Sequence, residues 1–327
     1  MTVGSLQEVL EPVSQQLREF EAYVRRVVRT NVPLLDLVLW YIFRRRGKRL
    51  RPALVFLSAA ACGRLTERAF VGAALVELLH TATLLHDDVV DEAPRRRGVS
   101  SVNALWGNSV AVLVGDYLLA RGLLLAMEHE EHEFLRITSD AVRRMSAAEL
   151  RHLQLNRKLI LDEAAYLEVV RGKTAALFAA CCEIGAVSAG SGPEARRALR
   201  EFGEAIGIAF QLQDDMLDYV GRAGVLGKPA WQDLQERKLT LPVLVALQRM
   251  PAAERREFVR SWKAAAKARA AMKPLAQAVL HYGGIDYTAA IARDYVQRAL
   301  EWLQHLPPSE ASRALEGFAH FAVERTW

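Results

Sequence analysis

LLHDDVVDEAPRRRG, residues 84–98, decides how the rest of this 327-residue chain is read. Asp87, Asp88 and Asp91 stand at i, i+1 and i+4 near the end of an apolar run, just before Pro94. At about 100° per residue, a helix sets Asp91 roughly 40° from Asp87 and one turn beyond it, so all three project into a single arc of about 100°. Carboxylates crowded on one face repel each other, and this raises their pKa values unless a cation sits among them. Their oxygens are hard ligands that suit Mg²⁺, above all where phosphate oxygens complete its octahedron. Arg95, Arg96 and Arg97 follow the proline and offer planar forks for phosphate. Acid cluster and basic cluster together read as a metal–diphosphate site.

The arrangement recurs. Residues 211–219 read QLQDDMLDY, with Asp214, Asp215 and Asp218 again at i, i+1 and i+4, and both segments share Leu-x-Asp-Asp-x-x-Asp. A lone acidic helix face is more often simply solvated. Two copies inside apolar helices resist that explanation, because burying six carboxylates without cations is prohibitive. The pairing suggests two helices facing each other across a central cavity.

Composition bounds the rest. Hydrophobic residues make up 51% of the chain, enough for a large core, and the charged fraction of 25% is ordinary. Length alone suggests about two domains. The periodicity instead favours one all-α domain over 1–327, with helices expected near 5–30, 34–45, 52–62, 66–91, 109–127, 134–155, 162–188, 194–220, 240–248, 252–272, 273–282, 287–305 and 309–325. No alternating strands are expected. A net charge of +5 with no basic tail argues against nucleic acid as a partner. Cys62, Cys181 and Cys182 lack metal-ligand spacing and read as small buried residues in a reducing cytosol. No signal peptide is read at the N-terminus, and no uninterrupted apolar run reaches the ~18 residues of a membrane span. A cytoplasmic protein is expected, with at most transient membrane contact for product release.

With the acid motifs stands GKRLRP, residues 47–52, whose Lys48 and Arg51 are three apart and expected to share one face at a helix start, where the backbone dipole favours anions. On these three elements the chain resembles the trans-isoprenyl diphosphate synthases (polyprenyl synthetase family), from about residue 40 onward, and within them the long-chain octaprenyl and heptaprenyl branch. The resemblance implies a single helical bundle around a central cavity, a homodimer, and about three Mg²⁺ ions clamping an allylic diphosphate. Asp87, Asp91 and Asp214 would hold the metal directly, with Asp88, Asp215 and Asp218 chiefly supporting them or holding metal-bound water. Lys48, Arg51, His80 and Arg97 would hold isopentenyl diphosphate, while Arg96, Lys173, Thr174 and Gln211 would serve the allylic substrate, farnesyl or geranylgeranyl diphosphate. Of these, Lys173, Thr174 and Gln211 would stand closest to the breaking bond. Lys228 and Lys238 match lysines of the loop after the second motif, and Arg95 is read as solvated.

The implied reaction is condensation: the allylic diphosphate departs, the isopentenyl double bond attacks the carbocation, and a proton leaves to the released diphosphate, since no side-chain base stands out. Ala82 and Thr83, about one turn before Asp87, occupy the places where aromatic residues limit chain length in the family; small residues there imply a long product. Two departures stand out: Trp231 and Arg237 occupy positions where glycine is usual, and Ala148-Glu149 stands for Gly-Glu. Alternatives are a short-chain farnesyl or geranylgeranyl diphosphate synthase, a terpene cyclase, a non-catalytic subunit, and a helical scaffold with acidic caps. The cyclase reading does not account for GKRLRP, and the non-catalytic reading does not fit six intact motif aspartates.

Overall fold

The computed structural model describes residues 5–44, 47–96, 98–220, 231–264 and 272–325, and these are almost entirely helical. A short entry helix α1 (Leu6–Leu10) passes through a 3₁₀ turn into α2 (Ser14–Val27), with Pro12 at the break. α3 (Pro33–Phe43), α4 (Leu50–Ala61) and α5 (Glu67–Val90) follow. Beyond a two-stranded turn come α6 (Val102–Trp106), α7 (Asn108–Glu128), α8 (His132–Lys158) and α9 (Glu163–Val170). A π-helical turn, Arg171–Ala175, joins α9 to α10 (Ala176–Ser188). The remaining elements are α11 (Pro193–Val220), α12 (Gln232–Gln235), α13 (Leu241–Arg249), α14 (Ala252–Ala264), α15 (Met272–His281), α16 (Gly284–Leu303) and α17 (Glu310–Glu324).

The centre of the bundle is α10. Every one of its residues except Glu183 is buried, the pattern of a helix that is apolar all round and therefore enclosed. It packs against α4, α5, α8 and α11. Phe178 and Phe202 are fully buried where α10 and α11 meet, and each such side chain contributes about 1.5–3 kcal/mol through removal from water. α5 crosses α7 closely enough that a Cβ at Gly115 would lie 2.3 Å from His86 Nε2, so glycine there lets the helix carrying the first acid motif sit against its neighbour.

Several expectations are adjusted. The 162–188 helix contains the π turn, and the first segment breaks at Pro12. The turn after α5 is a tiny antiparallel ladder, β1 (Arg95–Arg96) and β2 (Val99–Ser100), where no strand was expected. The helix expected over 252–272 is described only to Ala264. Two helices, α5 and α7, are long and apolar enough to cross a membrane by length and composition, although no uninterrupted apolar run is that long. The α5 window is 67% buried within the bundle, against 39% for α7.

Candidate active site

The first acid motif ends α5. Glu92, at φ +49°, closes the helix in a Schellman arrangement in which the Ala93 N–H donates to Asp88 O and the Glu92 N–H to Val89 O. The helix therefore stops at Val90, four residues before Pro94. Asp91 caps it and is exposed, Asp87 is half-buried, and Asp88 is buried. Asp88 accepts from Arg96 Nε at 2.6 Å, so the short ladder folds an arginine back onto the motif. Burial raises the pKa of Asp88 against the pull of Arg96. Asp87 is also raised by burial, with Lys173 opposing and Glu149 and Asp91 adding to the rise. Arg95 is exposed; Arg97 lies outside the described residues.

Opposite Asp87 stands the π turn. Lys173 forms an ion pair with Glu149 of α8. A hydrogen bond from His152 and the nearby Lys173 charge hold the Glu149 carboxyl down at about 2. A Cβ on Gly172 would fall 2.5 Å from Ala148 Cβ; alanine at 148 is thus accommodated by glycine at 172, a local reason for the Ala-Glu departure. Thr174 Oγ1 donates to Gln211 Oε1 at 2.7 Å, and Gln211 Nε2 donates to Asp215 Oδ1 at 2.9 Å. The other Asp215 oxygen accepts from the Tyr166 hydroxyl of α9. Burial and the Asp233 charge push Asp215 up to about 8.

The second acid motif lies in the last turns of α11. Its three carboxylates have different surroundings. Asp214 is 46% exposed and accepts from Arg325 at 2.7 Å; Asp215 is buried in the network above; Asp218 accepts the backbone N–H groups of Gln232 and Asp233 at 2.9 and 3.0 Å. Asp218 thereby caps α12. Trp231, at φ +64°, and Arg237, at φ +55°, both adopt the left-handed conformation that glycine favours. Lys238 pairs with Glu236 at 2.5 Å, and its ammonium, although burial opposes the charge, is raised by Asp233, Glu236 and Asp91. Lys238 thus lies within the field of the first motif. Lys228 is outside the described residues.

GKRLRP departs from its expected geometry. Arg49 is left-handed (φ +49°) and caps α4, so Lys48 precedes the helix while Arg51 lies in its first turn; the two do not share a helical face. Arg49 forms a 2.5 Å ion pair with Glu77 of α5, both side chains largely buried. The Arg51 guanidinium lies 5.3 Å from the Phe178 ring centre. His80 is one turn beyond Glu77. Ala82 is only 2% exposed and belongs to the core, whereas Thr83 is partly exposed and its hydroxyl donates to the His80 carbonyl. Sequence spacing alone missed Tyr166, Arg325 and the Arg49–Glu77 pair, each of which joins segments distant in the chain.

The donor chemistry fits a hard divalent cation. Both acid motifs end long helices with no basic residue in the last turn, where the negative end of the backbone dipole disfavours carboxylates. Asp91 and Asp214 are the motif carboxylates most open to solvent, Asp87 and Asp218 are half-buried, and Asp88 and Asp215 are buried. Among the described residues no three or more His, Cys, Asp or Glu side chains form a ready metal cluster. Any cation held here needs further oxygens, as from diphosphate.

Residues 32–279 match the family described as polyprenyl synthetase. The chain is 36% identical over 326 residues to the all-trans-nonaprenyl-diphosphate synthase (geranyl-diphosphate specific) of Rhodobacter capsulatus, covering 99% of each protein. It is 35% identical over 321 residues to the octaprenyl diphosphate synthase of Escherichia coli strain K12, covering 98% of this chain and 99% of that one. Its fold superposes with a TM-score of 0.93, at 35% identity and full coverage of both chains, on a polyprenyl synthase from Caulobacter crescentus CB15 crystallised with calcium and isoprenyl diphosphate. With paired acid motifs at the ends of two core helices and a basic turn between them, this chain belongs to the polyprenyl synthetase family, the trans-prenyltransferases.

Proposed function

We propose that the protein condenses isopentenyl diphosphate with farnesyl or geranylgeranyl diphosphate to a long-chain all-trans polyprenyl diphosphate. One observation carries the reading: Lys173 acts on Asp87 while its neighbour Thr174 bonds Gln211, one turn before Asp215. The π turn therefore stands between the two acid motifs. Mg²⁺, in a set of about three held by Asp87, Asp91 and Asp214, supplies neutralisation of the charge developing on the departing diphosphate. The calcium and isoprenyl diphosphate bound by the Caulobacter relative support a divalent ion with that ligand.

Asp88, Asp215 and Asp218, each tied to protein donors, keep the direct ligands in place. Lys173 and Arg96 bind the allylic diphosphate; Thr174 and Gln211 line its reacting end. Lys48, Arg51, His80 and Arg97 hold isopentenyl diphosphate so that its double bond meets the allylic carbon as the carbon–oxygen bond breaks. A proton then leaves for the released diphosphate. Lys228 and Lys238 add charge for diphosphate binding, and the apolar body of the bundle excludes water that would quench the cation.

The whole chain acts as one domain: helices outside the matched residues, α2 and α17, contribute Phe20 and Phe318 to the same core. Leu37 and Trp40 of α3 and Leu113, Leu124 and Met127 of α7 are exposed, and a second copy would cover such a face, giving a homodimer. The free cysteines and diphosphate substrates suit the cytoplasm.

Incubation with isopentenyl diphosphate, farnesyl diphosphate and Mg²⁺, followed by mass analysis of the dephosphorylated products, tests the reading. A ladder well beyond about twenty carbons with no product under chelation is expected, since the charge on the leaving group then goes uncompensated. Termination at fifteen or twenty carbons would establish the short-chain alternative, and absence of any condensation would overturn the assignment.

A further inference from the structure

Arg325 lies just beyond α17, at the far end of the chain from both motifs' neighbours, yet its side chain is only 4% exposed. Its guanidinium is restrained by more than Asp214. Nη2 donates to Phe210 O at 2.9 Å, Nε donates to Ala322 O at 3.3 Å, and the guanidinium carbon lies 3.8 Å from the Phe210 ring centre. Its own carbonyl accepts from Gln213 Nε2 at 2.9 Å. Phe210, Gln213 and Asp214 stand at i, i+3 and i+4 of one helix and so share a face, and the arginine is fastened to the same stretch whose carboxylate it meets at 2.7 Å.

A cation held in this way does not depend on Asp214 for its position. It fixes one oxygen of the most exposed carboxylate in the second motif and offsets repulsion from Asp215 and Asp218. We propose that Arg325 is a positioning residue that presets Asp214 for the divalent cation, making the C-terminal arm a determinant of metal affinity. This rests on the reading of Asp214 as a metal ligand.

The test is a Mg²⁺ titration of the full-length protein with inorganic diphosphate, followed by the shift in melting temperature, alongside the metal-free melting temperature and the rate of prenyl transfer. Arg325→Gln should raise the half-saturating Mg²⁺ about tenfold, the scale of one charge-assisted hydrogen bond. Gln213→Ala, which loosens the arginine while sparing both charges, should raise it about threefold, and it serves if Arg325→Gln does not fold. An unchanged half-saturation with a lower metal-free melting temperature would show that Arg325 only packs the C-terminus. A lower half-saturation would show that it competes with the cation. Either overturns the proposal. If the wild-type protein showed no Mg²⁺-dependent shift at all, the metal reading itself would fall and the proposal with it, a result distinct from the other two.

Discussion

Glu149 of α8 and Lys173 of the π turn are joined in an ion pair beside Asp87, so a lysine that acts on the first acid motif is aimed by a carboxylate from a different helix. Replacing Glu149 with Gln leaves the lysine charged but unaimed. A fall in kcat/KM of about tenfold is expected, within the range that small misplacements of a binding group produce. Stability across pH gives a second measurement. The folded Glu149 carboxyl lies at about 2 against an ordinary 4.5, through His152 and Lys173. Its contribution is fully present above the ordinary value and is lost as pH falls through the folded one. The stability difference between wild type and Glu149→Gln should therefore be constant above about pH 5 and vanish toward about pH 2.

Arg49 and Glu77 fasten the start of α4 to α5. Glu77→Leu would leave the arginine largely buried without its carboxylate, at a cost of about 3 kcal/mol. Urea unfolding should register that loss. Because the pair anchors the loop that carries Lys48, the KM for isopentenyl diphosphate should rise more than kcat falls.

Trp231 and Arg237 test the left-handed positions in opposite directions. Arg237 is exposed, and glycine there relieves a strain of about 1–2 kcal/mol while adding somewhat less unfolded-state entropy. Arg237→Gly should stabilise by about 0.5 kcal/mol and raise the melting temperature by about 1–2 °C. Trp231 packs against the core, so Trp231→Gly should destabilise by about 1–2 kcal/mol despite the same relief of strain. Equal effects from the two substitutions would rule out packing as the distinguishing factor.

Product length is tested at Thr83 before Ala82. Thr83→Phe, at a partly exposed position, should shorten the product with a change in stability below about 1 kcal/mol. Ala82→Phe should also shorten it, but overpacking a core position costs about 1–3 kcal/mol. An unchanged product spectrum from a folded Thr83→Phe enzyme would count against a channel below the first motif.

The helical fold and the ends that carry chemistry were legible because they follow from local rules. Paired aspartates at i, i+1 and i+4 need only helical periodicity to share a face, and Asp162 caps α9 through the hydrogen bond its position suggests. What stayed hidden was tertiary. Nothing local says that Tyr166 meets Asp215, or that a C-terminal arginine returns to Asp214. The Lys48–Arg51 expectation failed because a helical spacing was applied across Arg49, whose backbone is left-handed. Thr66 stands at the N-cap of α5, as its residue type suggests, yet its hydroxyl makes no capping bond and donates to the carbonyl of Ser188, 122 residues away.

The π turn at Arg171–Ala175 also limits how this gene can vary. Surface loops tolerate insertions and deletions, but here one residue more or fewer would rotate everything on one side of the turn by about 100° relative to the other. Removing a residue would swing either α9 with Tyr166 or α10 with its buried apolar surface away from its partners, and Lys173 could no longer face both Glu149 and Asp87. A single-codon deletion in this stretch should therefore be far more damaging than almost any substitution within it.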